Sequence, residues 1–484
     1  MLRHKIGGRS AIATALRLPL YNPSARQTGP KFLSALQRPG LHTLALAPIA
    51  HHGRTFSTST GSEARGPSAS RSIRVVSADD AEKILRLNEF SRTQNGVASG
   101  FHFSVLASNS PCEDQASYDT IGGRQYYAVF DGHAGDTLSR VLSGYLIPHV
   151  AKRLESVSGP SDVARAIRSA FVEVDQEIVR LPLDMLEGLK SGTIADGASI
   201  EAVRKQARVR WQLAQQGSCA LLAIFDEATQ TLHVACTGDS RAVMGTWDAK
   251  TSQWRTRVLT EDQTSANPRE ARRLQSEHPP GEAKALVEDG RTVGLGMSRA
   301  FGDSMFKWSP DEIRTSSKAF RELVIPYKDC KTPPYVTAEP VVTSIPVNDS
   351  HGRKFVVLAS DGVYEWLSNQ EIVALVGGWL DGLKGTHDRA SVLARTSMDE
   401  HPADMHLPPP FPGPRSPPHD FLFTDSNVAT HVIRNAFAGD NTLTLQFHLS
   451  LRPGISRQHR DDMTVMIVMV GDAGDVQGSA DKQP

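Results

Sequence analysis

Tyr127-Ala128-Val129-Phe130-Asp131-Gly132-His133-Ala134-Gly135 is the stretch from which the rest of the chain is read. Apolar residues run up to Phe130, and a helix-like pattern opens at Asp136. This is the pattern of a buried strand that ends in a carboxylate and turns into a helix. A carboxylate at the end of a strand can hold a hard metal ion at the lip of a sheet. Gly132 has no Cβ, so its own carbonyl can approach the same ion. Asp-Gly is also an ordinary turn signal. The pattern recurs, however, where Val356 to Ala359 runs into Ser360-Asp361-Gly362, and acids follow the same logic at Glu113-Asp114, Asp239 and Asp461-Asp462.

The 484 residues hold one large domain or two to three ordinary ones. A hydrophobic share of 39% with 22% charged residues describes a soluble globular protein. Four scattered cysteines (Cys112, Cys219, Cys236, Cys330) have no metal spacing and read as reduced packing residues. Charge is uneven. Residues 1–62 carry eight Lys or Arg and no acid, which leaves 45 basic and 53 acidic residues beyond them, a net of −8. An acidic body argues against nucleic acid as a partner, and no apolar run reaches the ~18–20 residues of a transmembrane span. Residues 1–60, rich in Arg, Ser and Thr, read as a mitochondrial transit peptide, disordered in the precursor. Arg54 stands just before a Ser/Thr cluster there. A disordered basic tail is the alternative.

Residues 61–95 read as a linker with a short helix, Ala78 to Phe90, before a domain at 96–472. Strands are expected at 101–106, 124–130, 336–345, 354–359 and 463–470, with a hairpin at 218–225 and 231–237. Helices are expected at 136–154, 161–180, 267–276, 368–380 and 427–437. Residues 181–212, 304–335 and the Pro- and His-rich 381–424 read as insertions, and 473–484 as a disordered tail.

Asp131, Asp239, Asp361 and Asp461 stand at strand ends far apart in sequence. Side by side, such strands bring the four to one rim. Clustered acids without basic partners repel one another, and a divalent cation neutralises them. All-oxygen ligands point to Mg²⁺ or Mn²⁺ over zinc. Two such ions activate a bridging water and clamp a phosphoryl group for in-line attack.

The ordered set Glu113-Asp114, Phe130-Asp131-Gly132-His133, Gly238-Asp239-Ser240-Arg241, Ser298-Arg299-Ala300-Phe301-Gly302-Asp303, Ala338-Glu339-Pro340, Ser360-Asp361-Gly362 and Arg460-Asp461-Asp462 resembles the metal-dependent type 2C serine/threonine protein phosphatases over roughly residues 100–471. The resemblance implies an α+β fold: a four-layer α-β-β-α sandwich, two central antiparallel β-sheets flanked by helix pairs. By it, Asp131 bridges two Mg²⁺ or Mn²⁺ ions, Gly132 offers its carbonyl, and Asp361 and Asp461 hold one metal. Glu113 and Asp114 act through metal-bound water, and Asp239 and Asp303 serve an additional, weaker metal. His133 is the general acid, a role suited to a side chain titrating near neutrality; the plainer reading is a turn residue hydrogen-bonded to water. Many family members carry a phosphate-gripping Arg four residues before the Glu, where this chain has Asn109. Phosphate binding then falls to Asn109, to the metals or to Arg299.

Ser108-Asn109-Ser110-Pro111, Val376-Gly377-Gly378-Trp379 and the run from Asn427 to Asn435 look like the mitochondrial pyruvate dehydrogenase phosphatase branch. The resemblance implies a matrix enzyme acting on the phosphoserine of the pyruvate dehydrogenase E1α subunit. The alternatives are other mitochondrial phosphoproteins as substrates, or a pseudophosphatase acting as a binding module.

Overall fold

The computed structural model describes residues 73–471 except 193–198, 283–285, 289–290, 323, 325–330, 348–351, 400–404 and 406–418, together with short strands at 42–43 and 54–56. The transit-peptide reading otherwise lies outside the described residues, as do the tail at 473–484 and Cys330.

Along the chain the main elements begin with α1 (Ala78–Leu85), β1 (Phe90–Thr93), β2 (Ala98–Leu106), β3 (Gln115–Ile121) and β4 (Arg124–Phe130). There follow α2 (Thr137–Leu154), α3 (Pro160–Ser191), α4 (Ile200–Gln215), β5 (Ala220–Asp226), β6 (Thr231–Thr237), β7 (Arg241–Asp248) and β8 (Gln253–Val258). Then come α5 (Pro268–Glu277), α6 (Pro310–Phe320), β9 (Val341–Pro346), β10 (Lys354–Ala359) and α7 (Asn369–Leu380). The chain closes with β11 (Thr396–Met398), α8 (Val428–Phe437), α9 (Thr442–Ser450) and β12 (Met463–Val470).

One six-stranded sheet has the order His42–Thr43, β3, β4, β5, β6, β9. A seven-stranded sheet has the order β11, β8, β7, β10, β12, β2, β1. All neighbours are antiparallel except β8 and β11.

Strand alternation builds the layers, because successive side chains point to opposite faces. On β4, Tyr126, Ala128 and Phe130 pack with α2, α3 and α4. Tyr127 and Val129 point the other way, into a core shared with Val356 and Leu358 of β10 and Met466 and Val468 of β12. The outward residues of β10 and β12, among them Phe355, Val357, Val465 and Ile467, pack with α7 and α8. Both faces of the central strands are covered, which explains their near-continuous apolar runs. This is the expected α-β-β-α sandwich.

Several expected boundaries move. Residues 61–95 are not a plain linker: the expected helix stops at Leu85, and β1 pairs with β2 at the sheet edge. The second helix does not stop at Arg180 but runs to Ser191, with Met185 and Leu186 in the core, so the start of the 181–212 insertion is a continuation of α3. The 304–335 segment contains α6, closed by a Ser309/Glu312 capping box with Pro310 in its first turn. Within 381–424, β11 pairs in parallel with β8, and Gly385–His387 pairs with Phe421–Phe423.

The segment before residue 96 is fastened by charge. Arg434 of α8, 2% exposed, donates to Asp425 at 2.8 Å and to Glu82 of α1 at 2.6 and 2.7 Å. Arg86, the C-cap of α1, joins by donating to Asp425 at 3.0 Å. Removing one partner of a buried pair strands the other, at a cost of about 3–5 kcal/mol. Arg434→Met is therefore expected to lower the unfolding free energy by about that amount, read as a shift of the urea midpoint. An unchanged midpoint would mean that the network contributes nothing net.

Candidate metal centre

Every acid expected at the rim stands at a strand end. Asp131 follows β4, Asp239 follows β6 across the turn at Gly238, Asp361 follows β10, and Asp461 leads into β12. Strands β4 and β6 flank β5 in one sheet, and β10 and β12 are neighbours in the other. Packing the sheets face to face brings all four together. Carboxylate oxygens of Asp131, Asp239 and Asp361 lie within 4.8 Å of one another. Those of Asp361, Glu365 and Asp461 do likewise.

Glu365 escaped the sequence reading. It stands four residues after Asp361, and its N–H donates to the Asp361 carbonyl at 2.9 Å, so one helical turn puts both carboxylates on one side.

The electrostatics fit a cation. Burial first, then the neighbouring carboxylates, pushes Asp131 well above the usual carboxylate range. Burial, Asp361 and Asp262 push Asp239 up to about 7. Burial also raises Asp361. Among the described residues, none of these three has a lysine or arginine within ion-pair distance. Carboxylates packed this way are stable as anions only beside a compensating charge, and hard all-oxygen donors suit Mg²⁺ or Mn²⁺.

A small three-stranded sheet positions His133. Gly132–His133 pairs with Gly217–Ser218, which pairs in turn with Phe301–Gly302. This register sets His133 and Gly302 on either side of Gly217, so His133 Nε2 reaches Asp303 Oδ2 at 2.8 Å. A Cβ on Gly217 would fall 1.9 Å from His133 Nε2 and 2.5 Å from Asp303 Oδ2, so only glycine leaves the pair room. Burial would lower the imidazole, but the carboxylates of Asp303, Asp239 and Glu113 together outweigh it and the net shift is upward. Asp303, expected to serve an additional metal, is thus the partner of His133 and belongs to neither acid group.

The other predicted residues support the rim. Gly132 backs onto Glu113, whose carbonyl oxygen would lie 2.5 Å from an added Cβ. Glu113 accepts from Gly135 N–H at 2.7 Å and from Asn109 Nδ2 at 3.0 Å. Asp114 accepts from Ser360 Oγ at 2.8 Å, and burial, then Asp462, pushes it up to about 8. Neither Glu113 nor Asp114 belongs to the two acid groups.

Two expected phosphate binders are committed elsewhere. Asn109 donates through Nδ2 to Glu113 and, at 3.2 Å, to Asp462. Asp462 also accepts the N–H groups of Asn109 and Glu113, each at 2.9 Å, so this amide braces the loop. Arg299 forks onto Glu270 at 2.7 and 3.1 Å and donates to the Glu339 carbonyl at 2.7 Å. It is 8% exposed and joins the Ser298–Asp303 motif to α5.

The family profile "Protein phosphatase 2C" matches residues 98–401. The chain belongs to that family. It is 34% identical to a protein phosphatase 2C homolog of Schizosaccharomyces pombe, over 82% of this chain and 86% of that protein. It is 32% identical to pyruvate dehydrogenase phosphatase 1 of Saccharomyces cerevisiae, over 84% of this chain and 74% of that one. With the rat pyruvate dehydrogenase phosphatase 1 it shares 31% identity over 80% of each. This type 2C phosphatase is therefore a metal-dependent protein serine/threonine phosphatase, allied to the pyruvate dehydrogenase phosphatase branch.

The Arg299–Glu270 fork gives the phosphatase a pH-dependent brace. Burial alone would raise Glu270, but Arg299 and Arg273 pull it down to about 2 from 4.5. A carboxyl depressed on folding contributes stability above its unfolded pKa and loses it as pH falls towards the folded value. Arg299→Met is expected to cost about 2–3 kcal/mol at pH 7. The deficit should narrow below about pH 4.5, where the unfolded-state carboxyl takes up its proton. Urea unfolding at pH 7, 5 and 4 checks this; a deficit that does not change with pH would dissociate the brace from Glu270.

Proposed function

We propose that this protein hydrolyses phosphoserine on the pyruvate dehydrogenase E1α subunit in the mitochondrial matrix, and so activates that complex. The observation that carries the reading is the meeting of Asp131, Asp239, Asp361 and Asp461 at the ends of two sheets, in a chain similar to pyruvate dehydrogenase phosphatases. The acid-free, basic stretch at 1–62 supports the compartment.

The residues fit two Mg²⁺ or Mn²⁺ ions. Asp131, Asp361 and Asp461, with the Gly132 carbonyl, would hold them. Asp239 and Glu365 extend the oxygen set. When bound, such ions supply an activated water and a positive clamp for the phosphoryl oxygens. The protein's own share is to fix these carboxylates on rigid strand ends and to hold a proton nearby. His133, oriented by Asp303, is assigned the proton that the leaving seryl oxygen takes. Glu113, gripped by Asn109 and Gly135 N–H, borders the same space.

The test is phosphate release from phosphorylated E1α, and from an unrelated phosphoseryl protein, with Mg²⁺, Mn²⁺ or EDTA. Turnover should require metal and favour E1α. It should fall about 100-fold or more in Asp131→Asn and in Asp361→Asn, the scale on which loss of one electrostatic group acts at a reacting centre. Undiminished turnover in EDTA, or in both variants, would overturn the metal assignment. Equal rates on the two proteins would overturn the substrate.

A further inference from the structure

Among the described residues at the rim, one arginine pairs with an acid of the site and still keeps its side chain 47% exposed. Arg457 lies in the one-turn helix Ser456–Gln458. Its guanidinium contacts a carboxylate oxygen of Asp461. Its charge also reaches Glu113 and Asp361, lowering both carboxyls against the effect of their burial.

The neighbouring basic side chains are committed. Arg241 is bound to Asp262 and lies over the Tyr364 ring. Arg299 is locked to Glu270 and Glu339. Arg460, 3% exposed, donates to the carbonyls of Leu106 and Ala107. Lys307 is held by Asp175 at 2.7 Å.

The backbone under Arg457 is fixed to the loop that carries Asn109. Ser456 Oγ, buried, donates to the Ser108 carbonyl at 2.6 Å. Arg460 Nη2 donates to the Ala107 carbonyl at 2.7 Å. Arg457 therefore projects from a rigid turn beside the position where this chain has an amide in place of a guanidinium. A planar guanidinium offers paired donors that match the oxygens of a phosphate.

We propose that Arg457 is the phosphate-binding arginine of this site, contacting the phosphoryl oxygens of the substrate and of the released phosphate from the mouth of the acid cluster. The assignment rests on the phosphatase reading above and adds the residue that grips the anion. One side of the guanidinium stays on Asp461 while the exposed side meets the ligand.

Calorimetry on the full chain separates the two binding events: Mn²⁺ alone, then inorganic phosphate to the Mn²⁺-loaded protein. Wild type, Arg457→Met and Arg457→Lys are compared, with urea midpoints as the check on folding. Phosphate affinity should fall about tenfold or more in Arg457→Met, the scale of a lost charge-assisted hydrogen bond, and less in Arg457→Lys, which keeps the charge without the fork. Mn²⁺ affinity should not weaken. If Arg457→Met does not fold, Arg457→Lys alone decides by the same comparison. Phosphate affinity within about twofold of wild type, or a loss matched by an equal loss of Mn²⁺ affinity, would overturn the assignment; the second outcome would make Arg457 a mere support of Asp461. A wild-type protein that binds no Mn²⁺ would instead remove the metal centre, and this proposal with it.

Discussion

Like charges confined in a small volume are the constraint on which this molecule depends. Carboxylate oxygens of Asp131, Asp239 and Asp361 are held within 4.8 Å of one another; burial raises all three above solution values, and the neighbouring carboxylates raise Asp131 and Asp239 further. No local arrangement would choose this. It exists because four strand ends have no freedom to separate: each is fixed by ladder hydrogen bonds and by side chains buried on both faces of its sheet. The sandwich thus stores an electrostatic strain that a divalent cation relieves. Stability is given up locally so that the ligand set is ready before the ion arrives.

The same logic explains how the helper groups are arranged. His133 and Asp303 are 170 residues apart, yet they meet because one short sheet sets their backbones on either side of a glycine. Asp462 does for the 108–113 loop what that sheet does for His133: one carboxylate gathers backbone N–H groups and an amide. The rim is therefore built from backbone contacts as much as from side chains.

Much of this was legible in the sequence, because the strongest signals are local. The runs 124–130, 354–359 and 463–470 were read with their observed ends, since a strand covered on both faces is continuously apolar and stops where a carboxylate begins. The helix start at Ser368 was legible as a cap, while Asn267 and Asn427, read as the first residues of their helices, are their N-caps. Strands β3, β7 and β8 escaped because polar residues interrupt their apolar pattern, although Gly122-Gly123 marked one hairpin. Helix α6 escaped although Ser309-Pro310-Asp311-Glu312 spells its cap. Roles failed where they depend on tertiary partners. Nothing in the sequence says that Arg299 faces Glu270 or that Asp303 faces His133.

The attachment of the segment at Val76 to the far end of the chain has a consequence for how the fold closes. Val76 N–H donates to Ser450 Oγ at 2.8 Å, and Gln446 Nε2 returns a bond to the Val76 carbonyl at 2.8 Å. Val76, Ala81 and Leu85 share a core with Leu445 and Leu449. Removing the chain through Val76 would therefore remove the clasp on α9. Residues 76–85 also cannot dock until residues 445–450 have been made, so this edge of the sandwich closes only after most of the chain exists.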